Sequence, residues 1–340
     1  MIVSSNQKLK ISVLGAGSWG STLAWLLSTK YSNITIWTFS KEEYTSIKKS
    51  NSLLKPKKIM LNKNIKITTD LPSVVKSSDV IIIAVPTIAF KQTILKIKEL
   101  KINSRTILLS ATKGINPNDN SRPSQIIRKY LPKNPFAVLS GPNIALDVVS
   151  KAPIISVVAT ENIAVGNLLQ ELLSTSHFRI YINKDVNGVE VAGALKNVIA
   201  IAAGMSDGFG FNISTKAALI SRGLLEITRI TIKEGGNPKT LLGAAGIGDL
   251  IATCCSTNSR NYRVGFSIAQ GKSLTSVLKD IGQVAEGVET VKSMLKLAKK
   301  YRIKVPIANA VYDIVIKEKQ PKLVLKSLLS RSLTKHELEF

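Results

Sequence analysis

The sequence predicts an α/β protein in which a mostly parallel sheet is followed by an all-helical domain. Short β-branched runs alternate with helical patterns through the first half, strand candidates stop near residue 185, and a tight glycine turn joins the first strand to the first helix. At about 150 residues per domain, a chain of 340 residues suggests two domains, divided here as 1–185 and 186–340. A hydrophobic share of 44% excludes disordered and collagen-like chains, and no fixed-period repeat supports a solenoid.

Strands are expected at 10–14, 33–38, 79–85, 105–110, 136–140, 154–159 and 178–182, with helices at 18–30, 41–49, 87–100 and 161–173. Residues 80–85 are apolar throughout, as a central parallel strand covered on both faces must be, and Pro86 ends the run. Beyond Asp185 the chain is rich in Ala, Leu, Ile and Gly at helical spacing. No flexible spacer intervenes, so a long helix starting near Asp185 is expected to serve both domains, with a cleft between them. The glycine-rich stretch 203–210 reads equally as a mobile cover or as a helix-ending loop.

Charge and cysteine content narrow the partners. The net charge of +25 favours anionic ligands, but the lysines are dispersed among Ile, Leu and Asn and no aromatic residues interleave with them. That pattern fits a solvated surface and a phosphorylated small molecule better than a specific nucleic acid. No membrane span is expected, because the apolar runs at 80–85 and 198–205 fall short of about 18 residues. Two adjacent cysteines, Cys254 and Cys255, cannot form a disulfide framework and are read as packing residues. Two distant histidines offer no metal cluster, and the expected compartment is the cytoplasm.

Directly after the first strand, Gly15-Ala16-Gly17-Ser18-Trp19-Gly20 fits G-x-G-x-x-G and opens into the first helix. The first glycine permits the tight turn, the second lets backbone approach a pyrophosphate, and the third allows helix and strand to pack closely. The helix N-terminus then offers unpaired N–H groups and partial positive charge to the phosphates. A Rossmann-like dinucleotide site follows. The second strand runs into Thr38-Phe39-Ser40-Lys41 with no acid before Glu42, which leans towards NADPH over NADH.

Three segments carry candidate chemistry. Lys196 and Asn197 interrupt an otherwise apolar helical stretch, so Lys196 is expected to lose solvation, to titrate nearer neutrality and to serve as proton acceptor or donor. The alternative is a lysine that snorkels to water. Lys113 lies just past the end of a parallel strand, where ligands of open α/β sheets bind. Asp249 follows two glycines, and Ser259-Arg260-Asn261 ends a hydroxyl-rich loop whose guanidinium fork suits a phosphate, although a capped surface turn would look the same.

Together with Ala111-Thr112-Lys113-Gly114, Ser140-Gly141-Pro142-Asn143, Leu195-Lys196-Asn197, Gly248-Asp249-Leu250 and Val284-Ala285-Glu286-Gly287, these segments occur in an order that resembles the bacterial-type NAD(P)-dependent glycerol-3-phosphate dehydrogenases nearly end to end. The resemblance implies hydride transfer between NADPH or NADH and dihydroxyacetone phosphate, giving sn-glycerol 3-phosphate for glycerophospholipid synthesis. It implies catalytic roles for Lys196, Lys113 and Asp249. It implies substrate contacts from Lys113, Gly141, Asn143, Lys196, Asp249, Ser259, Arg260 and Asn261. Cofactor contacts would come from Gly15, Gly17, Ser18, Trp19, Gly20, Ser40, Lys113, Ala145, Arg260, Val284 and Glu286. Two departures stand out: Asn143 replaces the usual Ser or Thr after Gly-Pro, and Phe39-Ser40 lack the frequent basic residue. The alternatives are another two-domain hydroxy-acid dehydrogenase and an inactive dinucleotide-binding or nucleic-acid-binding protein. The sequence leaves a homodimer open.

Overall fold

A computed structural model describes residues 9–330 and divides into two compact units. The first comprises the described residues up to Thr112 together with Pro123–Val186. The second comprises Lys113–Arg122 and the helices from Asn187 onward.

In the first unit the elements run β1 (Ile11–Leu14), α1 (Ser18–Ser28), β2 (Ile34–Trp37), α2 (Lys41–Ser50), the short hairpin β3 (Ser52–Leu53) and β4 (Ile59–Met60), β5 (Ile65–Thr68), α3 (Leu71–Lys76) and β6 (Val80–Ile83). They continue with α4 (Thr87–Glu99), β7 (Ile107–Ser110), α5 (Pro123–Tyr130), β8 (Phe136–Ser140), α6 (Ala145–Val149), β9 (Ile154–Ala159), α7 (Ile163–Leu173) and β10 (Phe178–Asn183). Eight strands form one sheet in the order β10-β9-β8-β7-β6-β1-β2-β5, parallel except where β8 meets β9. The neighbouring inner strands β6 and β1 are buried at every position, as the unbroken apolar run of β6 requires. Strand β5 and the hairpin lie outside the strands that the sequence pattern marks. Along β5 the exposure alternates, because Lys66 faces solvent from an edge strand, so Ile-Lys-Ile-Thr lacks the continuous apolar run that marks its neighbours.

The second unit contains α8 (Val186–Gly208), α9 (Ile213–Lys233), a 3₁₀ turn (Pro238–Leu242), a π-helical turn (Ala244–Gly248), α10 (Asp249–Cys255), α11 (Arg260–Ala269), α12 (Leu274–Ile281), α13 (Glu286–Tyr301), α14 (Pro306–Val315) and α15 (Pro321–Leu329). Helix α8 is the axis of its core: Leu195, Val198, Ile199 and Ile201 are fully buried among residues of the surrounding helices. By length and composition alone α8 could cross a membrane, contrary to the expectation from shorter apolar runs. Its apolar window is entirely covered by protein, as befits the central helix of a bundle. Residues 203–208 are the last turns of this helix, not a loop. At Gly204 a Cβ would stand 2.0 Å from the Tyr262 carbonyl oxygen, so glycine here permits helix-to-helix approach.

The segment Lys113–Arg122 differs from the expected division. It follows β7 in sequence, yet it packs with the helical unit, where Ile115 joins the core.

Candidate active site

The glycine turn and the end of β2, expected to meet a nucleotide, lie in the first unit. Gly15 donates to the Trp37 carbonyl at 2.8 Å and adopts φ +113°, while a Cβ on Gly20 would lie 2.0 Å from the Gly15 carbonyl oxygen. Both positions therefore demand glycine. A Cβ on Gly17 would instead project into open space. That residue caps α1 without a side-chain bond, and the first turn holds no acid, so the helix end presents positive polarity to an incoming anion. Trp19 stands edge-on to Phe178, and its buried indole N–H has no partner among the described residues. The cradle has the room and polarity that a pyrophosphate would need at the residues the sequence singles out, Gly15, Gly17, Ser18, Trp19 and Gly20.

At the end of β2, Phe39 is exposed, with the Lys96 ammonium 5.4 Å from its ring. Ser40 caps α2, accepting from the Glu43 N–H at 3.0 Å and donating to Glu42 Oε2 at 2.7 Å. This last bond is the main cause that holds the Glu42 carboxyl below its usual range. At the end of β8, Gly141 adopts φ +139°. Asn143 donates from Nδ2 to Ser156 Oγ at 3.0 Å, and that hydroxyl donates to the Ser140 carbonyl at 2.7 Å. The amide thus braces its own loop. Ala145 opens α6.

The second unit assembles the candidate acid–base groups. Asp249 is the first residue of α10, placed there by the preceding π-helical turn, a distortion that often accompanies functional positions. One carboxylate oxygen, Oδ2, accepts from Lys113 Nζ at 2.9 Å; the other, Oδ1, accepts from Lys196 Nζ. Lys196 also donates to Thr253 Oγ1 at 2.7 Å, and the Thr253 hydroxyl donates to the Asp249 carbonyl at 2.6 Å. Lys196, Asp249 and Thr253 are all buried, whereas the Lys113 side chain keeps 18% of its surface. Burial drives the Lys113 ammonium down to about 7. The Asp249 carboxylate opposes that shift and the Lys196 charge adds to it. Sequence reasoning gave Thr253 no role. Its spacing of one helical turn from Asp249 is the signal that would have found it.

The remaining predicted residues divide between contact and support. Ser259 caps α11 by accepting from the Tyr262 N–H at 3.3 Å. Asn261 donates to Asn197 Oδ1 at 2.9 Å and accepts from the Gly287 N–H at 2.9 Å, so its amide ties α8, α11 and α13 together. Arg260 begins α11. Desolvation lowers its guanidinium from the ordinary range, and the Glu286 carboxylate at the start of α13 opposes this. Val284 is exposed just before that helix. Of the two cysteines, Cys254 packs in the core, where burial raises its thiol, whereas Cys255 is exposed and corrects the reading of both as packing residues.

A family model described as the N-terminus of NAD-dependent glycerol-3-phosphate dehydrogenase matches residues 10–165, and one described as its C-terminus matches residues 185–326. Glycerol-3-phosphate dehydrogenase (NAD(P)+) of a Thermoanaerobacter species is 44% identical over 97% of this chain and 99% of its own. The protein of the same name from Leptospira biflexa is 43% identical over 96% of this chain and 98% of its own. The solved glycerol-3-phosphate dehydrogenase of Coxiella burnetii superposes with a TM-score of 0.91 at 33% identity, covering 95% of this chain and 99% of that one. Similarity that runs through both units, in sequence and in backbone alike, leads to one conclusion: the chain belongs to the NAD-dependent glycerol-3-phosphate dehydrogenase family.

Proposed function

We propose that this chain interconverts dihydroxyacetone phosphate and sn-glycerol 3-phosphate, with Lys196 moving the proton at the substrate's C2 oxygen. The observation that carries the assignment of roles is the buried set of Lys196, Asp249, Lys113 and Thr253. A nicotinamide cofactor, NADH or NADPH, supplies or accepts the hydride when bound. In the reducing direction Lys196 donates to the forming alkoxide. Asp249 and Thr253 hold its nitrogen in place, and Lys113 in its charged form adds electrostatic stabilisation. Arg260, with its planar fork, is assigned to the substrate phosphate, whose binding energy orients the carbonyl. Gly141 and Asn143 are assigned to the substrate loop, and Ala145, Val284 and Glu286 to the dinucleotide.

Cofactor choice rests on the end of β2. Lys41 and Lys96 bring positive charge there, while Ser40 holds the Glu42 carboxylate close by. Positive charge favours the lean to NADPH and the carboxylate opposes it, so both nucleotides belong in the assay. The product is the backbone unit of glycerophospholipids, and we assign the enzyme to their synthesis in the cytoplasm. Free thiols at Cys254 and Cys255 are compatible with a reducing compartment.

The test is the absorbance change of NADH and of NADPH with dihydroxyacetone phosphate as acceptor, beside a panel of 2-keto acids. Oxidation with the phosphate ester alone supports the assignment. Turnover restricted to keto acids, or none with any acceptor, overturns it.

A further inference from the structure

The ten residues from Lys113 to Arg122 belong to the helical unit although both flanking residues, Thr112 and Pro123, belong to the sheet unit. This strap is fixed at its two ends. At the first, the Lys113 ammonium meets Asp249. At the second, Arg122 is buried and its guanidinium is held by polar groups: Nε donates to Glu190 Oε2 at 3.3 Å, Nη2 to Asn187 Oδ1 at 2.9 Å, and Nη1 to Glu234. Glu234 is held in turn by the Tyr301 hydroxyl at 2.7 Å. Asn187 and Glu190 lie on α8, the helix that also carries Lys196.

The chain between the two ends is short and closed. The Asn116 N–H donates to the Ser121 carbonyl at 3.0 Å, and the Asn120 N–H to the Asn116 carbonyl at 2.9 Å, making 116–121 a self-bonded loop. Ser121 precedes Arg122 directly. On the other side of the loop, Ile115 is locked in the core, and only Gly114 separates it from Lys113. A displacement at Arg122 therefore reaches Lys113 through one backbone hydrogen bond and a few covalent links.

We propose that Arg122 is a positioning residue for Lys113, its grip on α8 and Glu234 setting where the strap delivers the lysine ammonium. A planar fork suits this task because it fixes direction as well as distance, whereas a lysine in the same place would supply charge without orientation. The inference rests on the role of Lys113 proposed above.

Kinetics of the full-length chain with Arg122→Lys, Arg122→Ala, Glu234→Gln and Lys113→Ala test it, each variant being checked for folding by circular dichroism. We expect kcat/KM for dihydroxyacetone phosphate to fall about 10- to 100-fold in Arg122→Lys and by less in Glu234→Gln, with cofactor KM little changed. The limb of the pH profile near 7 should move upward as Lys113 gains water. Asp249 and Lys196, the charged groups facing it, stay in place. Guanidinium ions should restore part of the rate to Arg122→Ala. The positioning role is overturned if Lys113→Ala is impaired while folded Arg122→Lys and Glu234→Gln keep the native rate and pH limb. It is equally overturned if the rate falls only in step with melting temperature while the limb stays put. Native activity in Lys113→Ala removes the underlying role of Lys113 itself.

Discussion

Asp249 offers one negative charge to two ammonium groups, one on each carboxylate oxygen. Water is largely excluded there, and that desolvation brings Lys113 down to about 7; the shared carboxylate opposes the shift and the Lys196 charge adds to it. Lys113 titrates below the ordinary lysine range, so it is cationic below about 7 and neutral above it. If its charge stabilises the alkoxide, kcat/KM in the reducing direction falls as pH rises through about 7. In Lys113→Arg, which stays charged, that fall should vanish; a pH profile identical to the native one removes the assignment. Lys196 is tested more directly. Its replacement by Ala should lower kcat by about 10²–10⁴, the span usual for lost general acid–base catalysis, with little change in cofactor affinity measured by fluorescence titration. Rapid turnover in Lys196→Ala would leave the proton to another group.

Helices in the second unit lend one another the polar groups they need. Helix α14 begins after Val305, which cannot cap it, and the buried Glu226 of α9 accepts from the Ile307 and Ala308 N–H groups at 2.7 and 3.2 Å. Glu226→Ala leaves two buried donors unanswered and should cost about 1–3 kcal/mol or more in urea unfolding; a variant as stable as the parent would show that water replaces the carboxylate freely. Such long-range caps explain where the sequence was readable and where it was not. The strands β1, β2, β6 and β7, the glycine turn and the polar interruption at Lys196 announce themselves locally, by apolar runs and by residue types that fit no other role. Ser259 and Asn261 also stand out in the sequence. Their engagement as a helix cap and as a brace between three helices depends on neighbours that no local pattern names. The Asn-rich strap is silent for the same reason, since a loop's composition does not say which body it will pack against.

At the scale of the whole molecule, a charge of +25 spread over the surface should draw in an anionic substrate from a distance. Salt screens such steering, with a Debye length of about 10 Å at 0.1 M. Raising sodium chloride from low to high concentration should therefore depress kcat/KM for the phosphate ester while leaving kcat nearly constant; a salt-independent kcat/KM would confine the lysines to keeping the protein in solution. The interleaving of the chain has a different consequence. A fragment beginning at the central helix would contain Lys196 and Asp249 yet leave behind the second ammonium, which is encoded in the middle of the other half. Such a fragment would therefore hold the carboxylate with only one of its two ammonium partners.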